Sequence, residues 1–213
     1  FNGGILSDDI GLGKTTSLIG LIMESSRERP SLVLCPTRLC KQWEDEISIT
    51  GNLKCKIISS ISQFKKTKYN ISEYDIIIIS YNFLINKNYH KYISENETPF
   101  AINNFIWERV ILDEGHEYLS KYNPKKTIIA IRNEIYKIKS NFRWICSGTP
   151  FTNKNEFWNI IFYLFHTNKN DSLGLFKINS TITYNSKILS NKFYHLLSNI
   201  CNDLFIKNTK ESL

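Results

Sequence analysis

A chain of 213 residues (24.9 kDa) can bury one substantial hydrophobic core, so a single domain is expected. Its 42% hydrophobic and 22% charged residues exclude a disordered polymer, and no apolar run is long enough to span a bilayer, which argues against a membrane partner. The net charge of +7 and pI near 9.1 suit an anionic partner such as nucleic acid, although an AT-rich coding sequence would enrich Lys, Asn and Ile in the same way.

Along the chain, short β-branched runs alternate with polar or helix-forming stretches. Gly4-Ile5-Leu6 reads as a strand, and Ser17 to Met23 as a helix. Further strands are expected at 31–35, 56–59, 75–80, 109–113 and 143–147. Their apolar residues run continuously rather than alternating, as in parallel strands buried on both faces. Ile128, Ile131, Ile135 and Ile138 recur at helical spacing, as do Phe157, Ile160, Ile161 and Leu164. The alternation predicts an α/β domain with a central, mainly parallel sheet and helices on both faces. Gln63 to Ser72 and Asn86 to Asn104 read as long exposed connections. Thr167 to Asn191 is polar and weakly periodic, an appendage in this reading. Lys192 to Asp203 could add a helix with Phe193, Leu196, Leu197 and Ile200 on one face, so 167–213 forms an appendage and a closing helix. The five cysteines (Cys35, Cys40, Cys55, Cys146, Cys201) contain no C-x-x-C pair, so neither a disulfide framework nor a zinc site is expected, and a reducing compartment fits best.

In open parallel sheets the ligand crevice lies beyond the carboxyl ends of the strands, and each chemically suggestive segment sits at such an end. After Leu6 comes DDIGLGKT (8–15), a phosphate-loop pattern with Asp8 where the first glycine belongs. Its backbone N–H groups and helix N-terminus suit phosphates, Lys14 would add a point charge, and the Thr15 hydroxyl would hold Mg²⁺. The chain opens directly on this strand and loop, with no signal peptide, as a segment excised from a longer protein would. After Ile111-Leu112 comes Asp113-Glu114-Gly115-His116. Asp113 can hold Mg²⁺ and Glu114 can orient the attacking water, as nucleoside triphosphate hydrolysis requires. After Trp144-Ile145-Cys146 comes Ser147-Gly148-Thr149-Pro150. His90, His166 and His195 have no partners at meaningful spacing and read as structural or surface residues.

Together these residues resemble the first RecA-like lobe of superfamily-two helicases, and within them the Swi/Snf-type double-stranded-DNA translocases. GGILSDDIGLGKT resembles that family's motif I, in which an acidic residue takes the first-glycine position. LVLCPTRLCKQWEDEI (32–47) is similar to motif Ia with its trailing Gln-Trp, YDIIIISYNFL (74–84) to motif Ib, ILDEGHEYLS (111–120) to the Walker B motif II, and SGTPFTNKNEFWNIIFYL (147–164) to motif III. LFIKNTKESL (204–213) resembles the segment that closes the lobe, with Lys207 and Asn208 where the family has two arginines. Thr152 stands where the family has Gln, and Asn153 is retained. DEGH in place of DEAH resembles the subgroup that contains helicase-like transcription factor and the post-replication-repair ubiquitin ligases.

The resemblance implies a RecA-like P-loop NTPase lobe over 1–213, with ATP and Mg²⁺ as cofactors. Asp9, Gly11, Leu12, Gly13, Lys14, Thr15 and Thr16 would cradle nucleotide, and Thr15 and Asp113 would hold the metal. Lys14, Asp113 and Glu114 would carry catalysis, while His116, Ser147, Gly148 and Thr149 would relay nucleotide state. Pro36, Thr37, Lys41, Ser80 and Tyr81 would touch one nucleic-acid strand. Duplex DNA and a second RecA-like lobe of the same parent chain are the implied partners, and the nucleus or a viral cytoplasmic factory the implied location. Three other readings stay open at this level: a DExH-type RNA helicase lobe, a non-hydrolysing nucleic-acid-binding scaffold, and an unrelated P-loop ATPase such as a transporter or kinase.

Overall fold

Runs such as Leu32-Val33-Leu34 and Ile76-Ile77-Ile78-Ile79 have no polar face to offer water, so they form strands covered on both sides. The computed structural model describes residues 2–25, 28–50, 52–96, 98, 100–119, 125–152, 154–165 and 205–209. Among the described residues there are seven strands: β1 (Gly3–Leu6), β2 (Ser31–Cys35), β3 (Cys55–Ile58), β4 (Ile76–Ser80), β5 (Ile106–Asp113), β6 (Lys139–Cys146) and β7 (Phe205–Ile206). They form one sheet in the order β3-β4-β2-β5-β6-β1-β7, and every pairing is parallel.

The helices are α1 (Lys14–Glu24), α2 (Cys40–Thr50), α3 (Ile61–Thr67), α4 (Lys87–Glu95), α5 (His116–Leu119), α6 (Lys126–Lys137) and α7 (Lys154–Phe165). Successive strand residues point to opposite faces and feed two separate cores. Val33, Ile76, Ile78 and Ile111 pack with Leu18, Ile19 and Ile22 of α1 and Trp43 and Ile47 of α2. Leu32, Leu34, Ile77, Ile79 and Leu112 pack on the other face with Phe64 of α3, Tyr89 of α4, Ile131 and Ile135 of α6 and Ile160 and Tyr163 of α7.

The α/β class, the parallel sheet and the two helical layers match the sequence reading. Two connections differ from it. Within Gln63 to Ser72 the chain carries most of α3 and a 3₁₀ turn, and Phe64, Thr67 and Ile71 are buried. Ser60 and Gln63 form a reciprocal capping box that starts α3, a signal readable in Ser-x-x-Gln. Within Asn86 to Asn104, Asn86 caps α4, and Tyr89, Ala101 and Ile102 are buried, with the Ile102 N–H donating to the Tyr89 hydroxyl at 2.9 Å. Here single aromatic anchors, not periodicity, order polar stretches. Strands β5 and β6 also begin earlier than expected, at Ile106 and Lys139: in β5 the buried Trp107 is followed by the polar Glu108 and Arg109, and in β6 the first four residues are partly exposed, so neither start carries an apolar run. The expected appendage over 167–191 and the helix over 192–203 lie outside the described residues, as do His166, His195 and Asn153.

Candidate active site

Strand β1 ends at Leu6 and releases the loop that enters α1. Gly11 (φ 90) and Gly13 (φ 73) both sit in the left-handed region, which lets the chain turn sharply into the helix. No side chain caps α1 and its first turn holds no acid, so orphan N–H groups and the positive helix end face the loop. Lys14 Nζ donates to the carbonyl oxygens of Asp8 (2.8 Å) and Asp9 (3.1 Å), holding its charge at the loop's mouth. Asp8 itself is buried. Its Oδ1 accepts from the backbone N–H of Asn208 at 2.6 Å and from Asn208 Nδ2 at 3.0 Å. The acid in the first-glycine position therefore fastens β7 to the loop, a role that the sequence alone did not suggest.

Leu6, Cys146 and Asp113 form a single row across β1, β6 and β5. The phosphate loop, the Ser147 turn and the acidic turn consequently leave the sheet side by side. A Cβ placed on Gly148 would lie 3.6 Å from the Ile10 side chain and 3.9 Å from Lys14 Nζ, so the Ser147 turn flanks the loop directly.

Asp113 is 8% exposed. Trp43 Nε1 donates to Asp113 Oδ2 at 2.8 Å, and the Tyr81 hydroxyl donates to the Asp113 carbonyl oxygen at 2.9 Å. Burial raises the Asp113 pKa above the usual carboxylate range, with the bond from Trp43 opposing it. Glu114, half-buried, is raised as well, first by burial and then by the neighbouring charge of Asp113. Its backbone is left-handed (φ 52), which is uncommon for a non-glycine residue, and its N–H donates to the Cys146 carbonyl at 2.8 Å. Gly115 is tightly enclosed: an added Cβ would sit 2.9 Å from Leu112 Cβ. His116 Nδ1 lies 2.7 Å from Ser147 Oγ and 3.3 Å from Glu114 Oε2, and Ser147 Oγ also accepts the Thr149 N–H at 3.1 Å. The residues expected to relay nucleotide state are thus in mutual contact. Thr152, the departure from the family pattern, donates through both its N–H and its hydroxyl to Glu156 Oε2 in α7.

The residues expected at a nucleic-acid strand are divided. Thr37 and Lys41 are exposed, and Lys41 pairs with Glu44 (2.8 Å) and Asp45 (2.9 Å) on its own helix, contacts weak enough to exchange. Pro36, Ser80 and Tyr81, expected at the same strand, are buried, so their side chains offer little surface there. Tyr81 is drawn inward by its bond to Asp113 and by stacking on Tyr118, with ring centroids 3.9 Å apart. Asn82, beside it, is exposed instead. Sequence reasoning missed the support that Trp43 and Tyr81 give the acidic turn. Their only trace is their place in motifs Ia and Ib.

A sequence profile described as the SNF2-related domain matches residues 1–213. The chain belongs to the SNF2-related domain family. Relatives in this family include human "DNA excision repair protein ERCC-6-like", 29% identical over 99% of this chain and 17% of its own length. The "TATA-binding protein-associated factor mot1" of Aspergillus fumigatus is 32% identical over 76% of this chain and 9% of its own. The chain therefore spans under a fifth of these curated relatives. Among solved structures, a SWI2/SNF2 ATPase core from Sulfolobus solfataricus in complex with double-stranded DNA is 25% identical, with a TM-score of 0.68 over 98% of this chain and 40% of that one. The fold is thus that of a Snf2-type, RecA-like ATPase lobe. No helix among the described residues is long and apolar enough to cross a membrane.

Proposed function

We propose that residues 1–213 are the ATP-binding lobe of a motor that tracks along duplex DNA, hydrolysing ATP between this lobe and a second RecA-like lobe of the same parent chain. The observation that carries this reading is the row Leu6–Cys146–Asp113, which aligns an uncapped helix N-terminus with Lys14, the acidic turn and the Ser147 turn along one sheet edge. In this reading the N–H groups around Gly11, Leu12, Gly13 and Thr16, with the Asp9 segment, hold the phosphates, and Lys14 neutralises the β/γ-phosphate charge. Glu114 orients the attacking water; its raised pKa suits it to accept a proton during the step.

No three His, Cys, Asp or Glu side chains come together among the described residues to hold a metal on protein ligands alone. That fits Mg²⁺, which takes one or two protein oxygens and completes its shell with phosphates and water. Thr15 and Asp113 would hold it, and when bound it would neutralise charge developing on the phosphate oxygens. The His116–Ser147–Thr149 contacts connect Glu114 to the motif III turn. Exposed Thr37, Lys41 and Asn82 are placed for contact with strand phosphates, a sequence-independent and salt-sensitive interaction. The lobe would act where duplex DNA is handled, such as the nucleus.

An arginine from the partner lobe is worth about 10³ to 10⁵ in rate, so this lobe alone should hydrolyse ATP very slowly. The deciding experiment measures ATP turnover by the two-lobed protein with duplex DNA, single-stranded DNA and RNA, against Lys14→Ala. Strong stimulation by duplex DNA that the variant lacks supports the proposal. Preference for RNA overturns it in favour of an RNA helicase, and no turnover with any nucleic acid points to a scaffold.

A further inference from the structure

Two loops leave the sheet at the carboxyl ends of β2 and β4, and each sends one fully buried side chain to Asp113. From the first, the 3₁₀ turn Thr37–Leu39 runs straight into α2, where Trp43 is 1% exposed and its indole N–H reaches Asp113 Oδ2 at 2.8 Å. From the second, Tyr81, also 1% exposed, opens the 3₁₀ turn after β4 and donates to the Asp113 main-chain carbonyl at 2.9 Å. The two bonds fix different things. Trp43 orients the carboxylate, whereas Tyr81 fixes the backbone immediately before Glu114, whose left-handed conformation needs outside support. Both loops also carry the exposed residues, Thr37 and Asn82, that face outward.

We propose that Trp43 and Tyr81 are positioning residues that couple contact of these two loops with a nucleic-acid backbone to the carboxylate that holds the metal. The proposal rests on the function given above. A displacement of the 37–39 turn moves the first turn of α2 with it, because the helix is continuous from Cys40 and packed against the sheet through Trp43 and Ile47. The indole then shifts against Asp113 Oδ2. A displacement at Asn82 reaches the Asp113 carbonyl through the adjacent Tyr81. Coupling of this kind is reciprocal: nucleotide with Mg²⁺ must tighten nucleic-acid binding by the factor that nucleic acid tightens nucleotide binding.

The test uses the two-lobed protein. Fluorescence anisotropy gives its affinity for a labelled duplex with and without Mg²⁺ plus a non-hydrolysable ATP analogue, and the ratio of the two affinities is the coupling factor. Trp43→Phe removes the N–H and Tyr81→Phe removes only the hydroxyl. Each should cut the coupling factor about fivefold or more, while duplex affinity without nucleotide stays within about twofold. The Mg²⁺ concentration at half-saturation of analogue binding should rise several-fold in Trp43→Phe and stay unchanged in Tyr81→Phe, since only the first touches the carboxylate. Thermal melts show whether each variant is folded, and should Trp43→Phe fail to fold, Tyr81→Phe decides by its coupling factor alone. Folded variants with the wild-type coupling factor overturn the relay and leave the proposed function standing. A wild-type coupling factor of one, together with no duplex-stimulated turnover, overturns both.

Discussion

The phosphate loop and the acidic turn stand next to each other but are built from different materials. The loop is made of backbone: two left-handed glycines, an uncapped helix end and a lysine resting on two carbonyl oxygens of its own loop. The acidic turn is made of side chains drawn from across the lobe, with Trp43 arriving from 70 residues away and Tyr81 from 32. A site of the first kind can lose a functional group without losing stability. A site of the second kind is tied into the core, so changes to it register in stability.

The largest expected effect separates the two. Lys14→Ala should lower duplex-stimulated turnover by about 10² to 10³, the scale of removing one electrostatic stabiliser. Chemical denaturation should find its stability unchanged within about 0.5 kcal/mol, because the ammonium's hydrogen bonds go only to two main-chain carbonyls of its own loop. A substantial loss of stability would break the distinction. Next comes Gly115→Ala, which forces a methyl to within 2.9 Å of Leu112 Cβ. It should cost about 1–3 kcal/mol by overpacking, and unchanged denaturation would show the turn to be looser than described.

Asp113→Asn should also lose turnover but, unlike Lys14→Ala, it should gain stability. Burial raises the Asp113 pKa, so the folded state binds its proton more tightly than the unfolded state does. The ionised carboxylate therefore costs stability above its folded pKa, and wild-type stability recovers as pH falls through it. The variant should melt higher than wild type at pH 7, with the advantage shrinking in acid. A pH-independent difference would locate the effect in packing instead. The smallest effect belongs to Asn208→Ala, which removes one side-chain bond to Asp8 while leaving the backbone bond. It should cost about 1 kcal/mol, most visibly as faster hydrogen exchange at the Ser7 and Asp9 amides that pair with Ile206 and Asn208.

The same contrast explains what could be read in the sequence. Gly11, Gly13, Lys14 and Thr15 announce themselves because their chemistry is local: a turn, a helix end and a charge within a few residues. Strands β2 and β4 were legible because burial on both faces leaves an unbroken apolar run. The inward turn of Tyr81 was not, since it depends on a carbonyl 32 residues later and on Tyr118 as a stacking partner. Nor was the role of Asp8, whose partner Asn208 lies 200 residues downstream. Between Asn86 and Asn104 the order comes from Tyr89 and Ile102 meeting across a bend, a pairing that no periodicity encodes.

That contact between Asp8 and Asn208 has a mechanical side. Strand β7 runs parallel to β1, and the main chain joins it to the loop at Ser7 and Asp9 as well as at Asp8. A tensile load on the backbone beyond Thr209 would thus be delivered to the nucleotide seat before reaching the rest of the sheet. Directed along the strand it would act in shear on several bonds at once, which resists slippage far better than opening them singly. The place where the lobe would be pulled is also the place where it would hold its fuel.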